Sequence, residues 1–489
     1  MAEIDRAAAL AAAPAELFIG GRWRPARGRA AFEVVDPADE SVLRRVADAG
    51  PSDASDALDH AVDAAADWTG MAPQRRADIL RAAHDGLLRR REEIATLITL
   101  EMGKPLAEAR GEVDYGAGFF RWFSESASRL HLDGDYGVEP GGQYRIITTK
   151  RPVGPTLLIT PWNFPLAMGT RKIGAALAAG CPVVIKPAEQ TPLTMLLLAE
   201  VLREAGLPDG VLGVLTTTDA AGLVQPMIAD PRLRKISFTG STRVGKLLLG
   251  QAAEGVLRSS MELGGNAPLL VFDDADIDAA VDGATVAKLR NGGESCVAAN
   301  RIYVQSGVLE EFTGKLTERL AAVRTGSGLD PDTGLGPMID ARQRDKVAEL
   351  VDDAVERGAE LLLGGKVPGG PGYFYPPTVL RAIPADAELR TEEIFGPVAA
   401  IYPFDTEEQA IGAANDTRFG LASYVFTKDL SRAMRVAEAL DSGMTGVNRG
   451  VVSNPAAPFG GIKESGLGRE GSSEGIEEYL ETKYIGLQL

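Results

Sequence analysis

The sequence predicts an α/β protein with two parallel β-sheets, each carrying helices on both faces. A chain of 489 residues is too long for one core at about 150 residues per domain, so two or three domains are expected. From residue 156 onward, short apolar segments alternate with helical patterns in two successive series, which indicates parallel strands joined by helices. β-rich segments outside both series predict a separate arm.

The N-terminal region predicts a hairpin followed by helices. ELFIGGRWRP indicates a short hairpin that turns at Gly20-Gly21. Helical patterns rich in Ala, Leu, Glu and Arg follow at about 52–68, 73–101 and 105–130.

The first strand–helix series begins with TLLIT. Its further predicted strands are CPVVIKPA, VLGVLTTT, KISFTG and SSMELGG, and the last runs into APLLVF, which we expect to end the series. The helix after CPVVIKPA has a Thr191-Pro192 start and a Gly206 stop, as helix-capping preferences require. Another helix is expected to open at STRVGK.

A second series begins near Asn266. A helix from about Asp276 leads to NGGESC and the strand NRIYVQ, and a helix at 308–324 and the region EEIFGPVAAIYPF follow. YRIITTKRPVG predicts an exposed two-stranded arm. The C-terminal TKYIGLQL is a candidate to pair with it, because both segments are β-rich and lie outside the two series.

The charge balance and the N-terminus narrow the function classes. The chain has 51 basic and 68 acidic residues, and its net charge of −17 argues against binding nucleic acid or anionic membranes. No segment approaches the ~18 uninterrupted apolar residues of a membrane span. MAEIDRAAALAAA places Glu3 and Asp5 where a signal peptide has positive charge, so we expect a loose tail on a cytoplasmic enzyme.

Cysteine and histidine are scarce. Cys181 and Cys296 cannot form a disulfide framework, and no spacing indicates a metal site. A cysteine or serine hydrolase needs a histidine beside its nucleophile. His60, His84 and His131 each fit an ordinary surface or capping role, which counts against that class without excluding it.

Cys296 lies in the stretch LRNGGESCVAANR. A free thiol has a pKa near ~8.5 and is inert in apolar surroundings, which suits Cys181 in AAGCPVV. Cys296 fits a core role less well, because Glu294 is a poor core neighbour. Gly292 and Gly293 would let a ligand or cofactor approach the backbone closely.

Unusual residues fall where predicted strands end, and ligands bind beyond the carboxyl ends of strands in open α/β sheets. These residues are Trp162, Asn163, Lys186, Glu189, Thr239, Gly240, Ser241, Glu262, Gly264 and Gly265. The spacing Gly240-STRV-Gly245 suits a phosphate at a helix N-terminus and equally suits a tight strand–helix turn.

Seven motifs in order resemble the aldehyde dehydrogenase superfamily: TPWNFP, VIKPAEQTP, FTGSTRVG, MELGGNAP, GESC, EEIFGPV and PFGGIKESGLGREG. The resemblance covers nearly the whole chain. It implies an aldehyde dehydrogenase-like α/β fold in three parts that forms a homodimer or homotetramer. These parts are a Rossmann-like cofactor-binding domain (14–132 and 153–262), a catalytic domain (263–460) and a β oligomerisation arm (133–152 and 474–489).

The resemblance also assigns catalytic roles. It implies that Cys296 attacks an aldehyde to give a thiohemiacetal, that hydride leaves for a nicotinamide, and that water releases the acid from a thioester. Glu262 matches the general base, and Asn163 matches the oxyanion-hole amide that acts with the Cys296 backbone N–H. In isolation, Glu262 also fits a strand-edge carboxylate and Asn163 a turn residue before Pro165.

The cofactor implied by the resemblance is NAD, with NADP as an alternative. Lys186 and Glu189 match residues at the adenosine ribose, where a carboxylate repels a 2′-phosphate and a lysine partly offsets that repulsion. Glu393 and Phe395 match the contacts to the nicotinamide ribose and ring, although alone they fit a loop glutamate and a core phenylalanine. The full cofactor set is Thr160, Pro161, Trp162, Lys186, Glu189, Gly240, Ser241, Gly245, Glu393 and Phe395.

Within the superfamily, the chain most resembles the subgroup that oxidises succinate semialdehyde to succinate. Arg171, Arg290 and Ser453 match the residues that hold the distal carboxylate of the substrate, a task that suits the bidentate guanidinium. Both arginines also fit solvated helix charges. Other open readings are oxidation of glutarate semialdehyde or a neutral aliphatic aldehyde, an esterase or acyltransferase without redox chemistry, and a non-catalytic descendant.

The chain departs from the subgroup at two positions. GESC replaces the more familiar GQTC, and Ala298 stands where many members have a second cysteine. If Glu294 is unpaired, its charge is expected to raise the pKa of Cys296.

Overall fold

The computed structural model describes residues 5–129, 134 and 136–488. The helices, in chain order, are α1 (Arg6–Ala12), α2 (Pro51–Gly70), α3 (Pro73–Arg89), α4 (Arg91–Met102), α5 (Leu106–Ala127), α6 (Ala167–Ala179), α7 (Pro192–Glu204), α8 (Ala220–Ala229), α9 (Thr242–Glu254), α10 (Ile277–Leu289), α11 (Leu309–Ala321), α12 (Ala341–Glu356), α13 (Glu407–Asn415), α14 (Leu430–Ala439) and α15 (Ser472–Glu477). The strands, in chain order, are β1 (Leu17–Ile19), β2 (Arg22–Arg24), β3 (Ala31–Val35), β4 (Val42–Ala47), β5 (Tyr136–Val138), β6 (Tyr144–Pro152), β7 (Thr156–Ile159), β8 (Val183–Lys186), β9 (Leu212–Val214), β10 (Lys235–Thr239), β11 (Arg258–Glu262), β12 (Ala267–Val271), β13 (Ala299–Gln305), β14 (Glu360–Leu363), β15 (Thr378–Arg381), β16 (Val398–Phe404), β17 (Phe419–Gly420), β18 (Ala422–Phe426), β19 (Met444–Val447), β20 (Ile462–Lys463), β21 (Gly466–Leu467) and β22 (Leu480–Gln488). No helix within the described ranges is both long enough and apolar enough to cross a membrane.

The first large sheet has the strand order β2-β1-β9-β8-β7-β10-β11-β21. Its centre, from β9 to β11, is parallel, whereas β1 and β21 pair with it antiparallel. One apolar core packs α3 to α7 on one face, and a second packs α2, α8 and α9 on the other. Cover on both faces explains why these strands are continuous apolar runs rather than alternating ones.

The second large sheet has the strand order β14-β15-β16-β13-β12-β18-β19, and only β14 is antiparallel within it. Helices α10 and α11 pack on one face, and α12 to α14 pack on the other. The expectation that APLLVF ends the first series is wrong, because this segment forms β12 between β13 and β18. The free edge of β11 is instead filled by β21.

The arm is a three-stranded antiparallel sheet of order β22-β6-β5. The predicted pairing of the C-terminal segment is confirmed, in a register that runs from Leu480 opposite Pro152 to Gln488 opposite Tyr144. The third strand, β5, was not expected, because three residues are too few to show a strand pattern.

The N-terminal hairpin is confirmed as β1 and β2, and Gly20 and Gly21 have φ values of 60° and 77°. A Cβ on Gly21 would lie 1.9 Å from Asp209 Oδ1, so glycine is also required there by packing. The predicted helix over 73–101 is two helices that break at Arg90, whose φ and ψ are −99° and 18°.

The loose tail expected before the hairpin is wrong within the described residues. Residues 6–12 form α1, which begins where Asp5 Oδ1 accepts a hydrogen bond from Ala8 N at 2.8 Å. Ala9 and Ala13 are buried, and this burial holds the helix against the protein.

Candidate active site

Cys296 follows a short 3-10 turn, Arg290–Gly293, and precedes β13. The residue is half-buried, and a Cβ on Gly265 would lie 2.2 Å from its carbonyl oxygen. The connection between the two sheets therefore passes directly against Cys296. Burial raises the pKa of the Cys296 thiol to about 12; the charge of Arg171 opposes that rise, whereas Glu262 and Glu393 add to it. The resting group is a thiol, so attack requires a base.

The turn before Cys296 is left-handed over three residues, with φ of 58° at Asn291, 66° at Gly292 and 75° at Gly293. A Cβ on Gly293 would lie 2.2 Å from the carbonyl oxygen of Gly396. The prediction that Gly293 makes room for a ligand is wrong, because this glycine makes room for protein backbone instead. A Cβ on Gly292 would make only ordinary van der Waals contacts, at 3.7 Å or more, with the side chains of Leu335 and Glu294.

Asn163 lies beside this turn. Its Nδ2 donates to the carbonyl of Glu294 at 2.9 Å, and its Oδ1 accepts from Phe164 N at 3.1 Å. A carboxamide nitrogen carries two hydrogens, so a second donor remains for a ligand. The side chain is buried and aimed at the segment that carries Cys296.

Glu262 ends β11 and is buried, and neither of its carboxyl oxygens has a hydrogen-bond partner among the described residues. Burial raises the pKa of Glu262 well above its usual value, and the charge of Glu470 adds to the rise, whereas Arg171, Lys172 and Arg469 oppose it. A buried carboxyl with a raised pKa and open acceptor positions is suited to general-base work.

Arg171 is not a solvated helix charge, because it is fully buried on α6. It forms an ion pair with Glu470, which also pairs with Lys172. Its guanidinium carbon lies 4.2 Å from the centre of the Phe459 ring. Its Nη1 has no hydrogen-bond partner in the described part of the chain. This nitrogen can therefore still donate, although Glu470 already pairs with the guanidinium group. Sequence reasoning missed Glu470, although the motif GLGREG contains it.

Tyr115 on α5 is a further residue that sequence reasoning missed. Burial raises the pKa of its hydroxyl, while the charges of Arg171 and Arg290 and hydrogen bonds to Arg171 and Ser453 oppose that rise. The three predicted carboxylate-binding residues therefore lie around one hydroxyl. The guanidinium carbon of Arg290 is also 5.3 Å from the centre of the Phe164 ring. No local pattern marked Tyr115, which belongs to an ordinary amphipathic helix.

Glu294 does not act on Cys296 as expected. Its carboxyl group is buried, and Oε1 accepts from Ile339 N at 3.2 Å. Burial raises the pKa of Glu294 well above its usual value, which favours the neutral acid. The carboxyl charges that raise the pKa of Cys296 belong to Glu262 and Glu393.

The remaining cysteine and the histidines lie away from this chemistry. Cys181 is fully buried, and its Sγ donates to the carbonyl of Tyr479 at 3.4 Å, as its predicted core role requires. His84 Nδ1 lies 2.8 Å from Asp85 Oδ1, and His60 packs beside Gly20. The third predicted surface histidine, at position 131, lies outside the described residues.

Residues predicted to bind the adenosine end of a cofactor follow the first sheet. Lys186 Nζ lies 3.4 Å from Glu189 Oε2, and the Glu189 side chain is 43 % exposed. Burial lowers the pKa of Lys186. Ser241 caps α9 by accepting from Val244 N at 3.4 Å. A Cβ on Gly245 would lie 2.4 Å from the Leu263 side chain, so this glycine lets α9 pack on the sheet.

The predicted turn residues that precede α6 and α9 are held in place by contacts with neighbouring residues. Thr160 N donates to the carbonyl of Lys186 at 3.2 Å, and Pro161 follows it. A Cβ on Gly240 would lie 2.4 Å from the Phe238 ring, so the turn before Ser241 needs glycine.

Glu393 and Phe395, which are predicted to hold the nicotinamide ribose and ring, contact residues that follow strands of the first sheet. The rings of Trp162 and Phe395 are 5.4 Å apart and nearly perpendicular. Glu393 Oε1 accepts from Gly265 N at 3.0 Å, and burial raises the pKa of Glu393 to about 7. Helix N–H donors and acidic side chains near strand ends are groups that can hold a dinucleotide, so this set fits one.

The chain matches known proteins along most of its length. Residues 23–485 match the profile of the aldehyde dehydrogenase family. A succinate-semialdehyde dehydrogenase of Paenarthrobacter nicotinovorans is 54 % identical over 91 % of this chain and 99 % of that protein. The succinate-semialdehyde dehydrogenase [NADP(+)] GabD of Escherichia coli (strain K12) is 47 % identical over 97 % and 98 %. A glutarate-semialdehyde dehydrogenase of Pseudomonas aeruginosa is 46 % identical over 96 % and 97 %.

Solved structures have the same fold. An NADP-dependent enzyme of E. coli superposes with a TM-score of 0.96 at 46 % identity, over 98 % of this chain and 99 % of that one. A betaine aldehyde dehydrogenase of Staphylococcus aureus in complex with NAD+ has a TM-score of 0.96 at 34 % identity, over 99 % and 97 %. The predicted fold class is confirmed.

Proposed function

This chain belongs to the aldehyde dehydrogenase family, and we propose that it oxidises succinate semialdehyde to succinate with NAD(P). The observation that carries the proposal is the grouping of Arg171, Arg290 and Ser453 around the hydroxyl of Tyr115, close enough to Cys296 for the charge of Arg171 to act on its thiol. Guanidinium and hydroxyl donors grouped near Cys296 suit an aldehyde with a distal carboxylate.

The reaction begins at Cys296. Glu262 takes the proton from the thiol, and the sulfur bonds to the aldehyde carbon to give a thiohemiacetal. The oxyanion accepts hydrogen bonds from the second N–H of Asn163 Nδ2 and from the backbone N–H of Cys296, a type of donor worth roughly 3–4 kcal/mol. A nicotinamide cofactor, when bound here, would supply the acceptor for the hydride on this carbon.

Loss of that hydride leaves a thioester on Cys296. Glu262 releases the thiol proton to solvent and then takes a proton from a water molecule, which attacks the thioester carbon. The carbon–sulfur bond breaks, the carboxylic acid leaves and the thiol is restored. One carboxyl group performs both proton transfers, because its oxygens have no other partner in the described structure.

The distal carboxylate is bound mainly by Arg290, with Ser453, Tyr115 and the free Nη1 of Arg171. Arg171 is already paired with Glu470, so its contribution is smaller than the sequence predicted. Arg290→Ala is therefore expected to raise KM for succinate semialdehyde by about 10²-fold, the value of a charged hydrogen bond, and to change KM for propanal little. Equal effects on both aldehydes would refute the carboxylate site.

Glutarate semialdehyde is the second candidate, because a relative with that name is 46 % identical. It presents the same carboxylate one methylene further from the aldehyde. Steady-state kinetics with both semialdehydes separates the two, since the enzyme's own substrate should have the higher kcat/KM. Ester cleavage without reduction of NAD would instead favour a hydrolase.

We propose NAD as the preferred cofactor. The Glu189 carboxylate can accept from ribose hydroxyls and repels a 2′-phosphate, while Lys186, 3.4 Å away, weakens that repulsion. Glu189→Gln is expected to lower the ratio of kcat/KM for NAD to that for NADP by at least about tenfold. An unchanged ratio would show that Glu189 does not select the cofactor. Arg203→Gln, which alters an exposed ion pair on α7, is the control.

We also propose three units: a cofactor-binding domain of 14–132 and 153–262, a catalytic domain of 263–460, and an oligomerisation arm of 133–152 and 474–489. The distribution of strands between the two large sheets supports the division. Limited proteolysis that cuts within 263–460 before any other region would contradict it.

We further propose a cytoplasmic location, which is supported by the presence of only two, unpaired cysteines. Cell fractionation that recovers the enzyme with membranes or outside the cell would contradict this location.

A further inference from the structure

Helix α5 presents two acidic side chains one turn apart, and each holds a different part of the active site. Glu108 Oε2 accepts from Asn291 N, in the turn before the nucleophile, at 2.6 Å. Glu112 Oε1 accepts from Leu166 N at 2.9 Å and Ala167 N at 3.1 Å, at the start of α6. Positions four apart lie on the same helix face, so one face of α5 contacts both segments.

Lys104, between α4 and α5, connects this face to Asn163. Its Nζ is buried, lies 2.5 Å from Glu112 Oε2 and donates to the carbonyl of Asn163 at 2.8 Å. The same ammonium lies 4.1 Å from the centre of the Phe164 ring. Asn163 is therefore held through its backbone by a charged donor, which is stronger than a neutral one.

The two segments are also bonded to each other. Asn291 Nδ2 donates to the carbonyls of Asn163 and Glu294, each at 3.0 Å, and Asn163 Nδ2 donates to the same Glu294 carbonyl at 2.9 Å. Cys296 follows two residues later. The contacts form a closed network in which α5 is connected to both the oxyanion donor and the nucleophile.

We propose that Lys104, Glu108 and Glu112 are positioning residues that fix the amide of Asn163 relative to the sulfur of Cys296. The proposal rests on the oxyanion role given to Asn163 in the proposed function. A buried ion pair is often no more stabilising than an apolar pair of similar volume. The function of this pair is therefore geometric: it orients the 163–167 turn, where an error of about 1 Å can cost 10²-fold in rate.

The first experiment compares Glu112→Gln with Asp114→Asn. Asp114 lies on the same helix and pairs with Arg91 of α4 at 2.7 Å, but on the exposed surface. Glu112→Gln is expected to lower kcat by at least about tenfold while KM for the aldehyde and the Kd for cofactor change little. Asp114→Asn should leave kcat unchanged. Equal kcat for Glu112→Gln and the unsubstituted enzyme would overturn the proposal.

The second experiment is a double-mutant cycle with Asn163→Ala. If Glu112 acts through Asn163, Glu112→Gln should lower kcat little further once the amide is gone, because the two losses then belong to one interaction. Independent, multiplicative losses would overturn the proposal. Should Glu112→Gln fold poorly, the double variant Lys104→Met, Glu112→Leu replaces it, because removing both partners leaves no lone buried charge. This variant should fold and lose the same amount of kcat. Combined with Asn163→Ala, it should likewise lower kcat little further.

The assay uses whichever aldehyde the unsubstituted enzyme oxidises fastest, so an error in the assigned substrate leaves the test intact. Failure of the unsubstituted enzyme to oxidise any aldehyde would refute the proposed function and this inference together. If the unsubstituted enzyme oxidises the aldehyde but the losses from Glu112→Gln and Asn163→Ala multiply independently, only this inference would be refuted.

Discussion

At the scale of single residues, environment distinguishes three buried carboxyl groups near Cys296. Glu393 accepts from Gly265 N and Glu294 accepts from Ile339 N, so each is held by backbone. Glu262 has no hydrogen-bond partner in the described residues. Burial raises the pKa of all three, but only Glu262 combines a raised pKa with both oxygens free to take a proton.

Glu262→Gln is expected to lower kcat by about 10²–10⁴-fold, the usual contribution of a general base. In the unsubstituted enzyme Glu262 becomes protonated as pH falls through its raised pKa, and the base is then lost. The decline of kcat on acidification should therefore begin well above pH 4.5. Measurement of kcat against pH through NADH absorbance checks both effects. The variant should lack this acidic decline while retaining cofactor affinity. A variant that keeps the decline would assign it to another group.

At the scale of elements, the 3-10 turn Arg290–Gly293 positions Cys296 through its backbone conformation. Gly292 and Gly293 both have positive φ, but only Gly293 packs against a carbonyl, that of Gly396. Substituting each glycine in turn therefore separates the effect of backbone conformation on activity from the effect of packing.

Gly292→Ala is expected to cost about 1–2 kcal/mol for a left-handed alanine and to leave much of the activity. Gly293→Ala carries the same cost and adds an overlap at 2.2 Å with Gly396, so the turn must move and kcat should fall far more. Urea unfolding and steady-state kinetics measure the two quantities. Equal kcat values for the two variants would show that this packing does not control Cys296.

At the scale of the whole molecule, the arm of β5, β6 and β22 is the clearest candidate for contact between subunits. Tyr484 and Leu487 on β22 are 55 % and 50 % exposed. An exposed strand with apolar side chains tends to associate with another chain.

Tyr484→Asp with Leu487→Asp is expected to reduce the oligomer mass measured by light scattering after gel filtration, because the charges oppose burial at the interface. Val256→Asp is the matched control: Val256 is 88 % exposed and lies outside the arm, so the mass should not change. An unchanged mass in the double variant would place the interface elsewhere.

Many of the elements and the family were predictable from the sequence. Strand ends, helix starts such as Ser241 and Asp276, and the hairpin at Gly20-Gly21 depend on neighbouring residues, so their patterns are visible locally. The motifs around Cys296 and Glu262 indicated the family for the same reason, because each motif is short and contiguous.

Only the tertiary structure decided which charges meet. Arg171 pairs with Glu470, the Glu294 side chain contacts Ile339, and Lys104 contacts Asn163. The partners in each case are far apart in the chain, and their pairing depends on how separate elements pack. The raised pKa values of the buried carboxyl groups follow from that packing, because desolvation is a property of the assembled fold. Which sheet contains APLLV is decided in the same way, because strands pair only when the elements assemble.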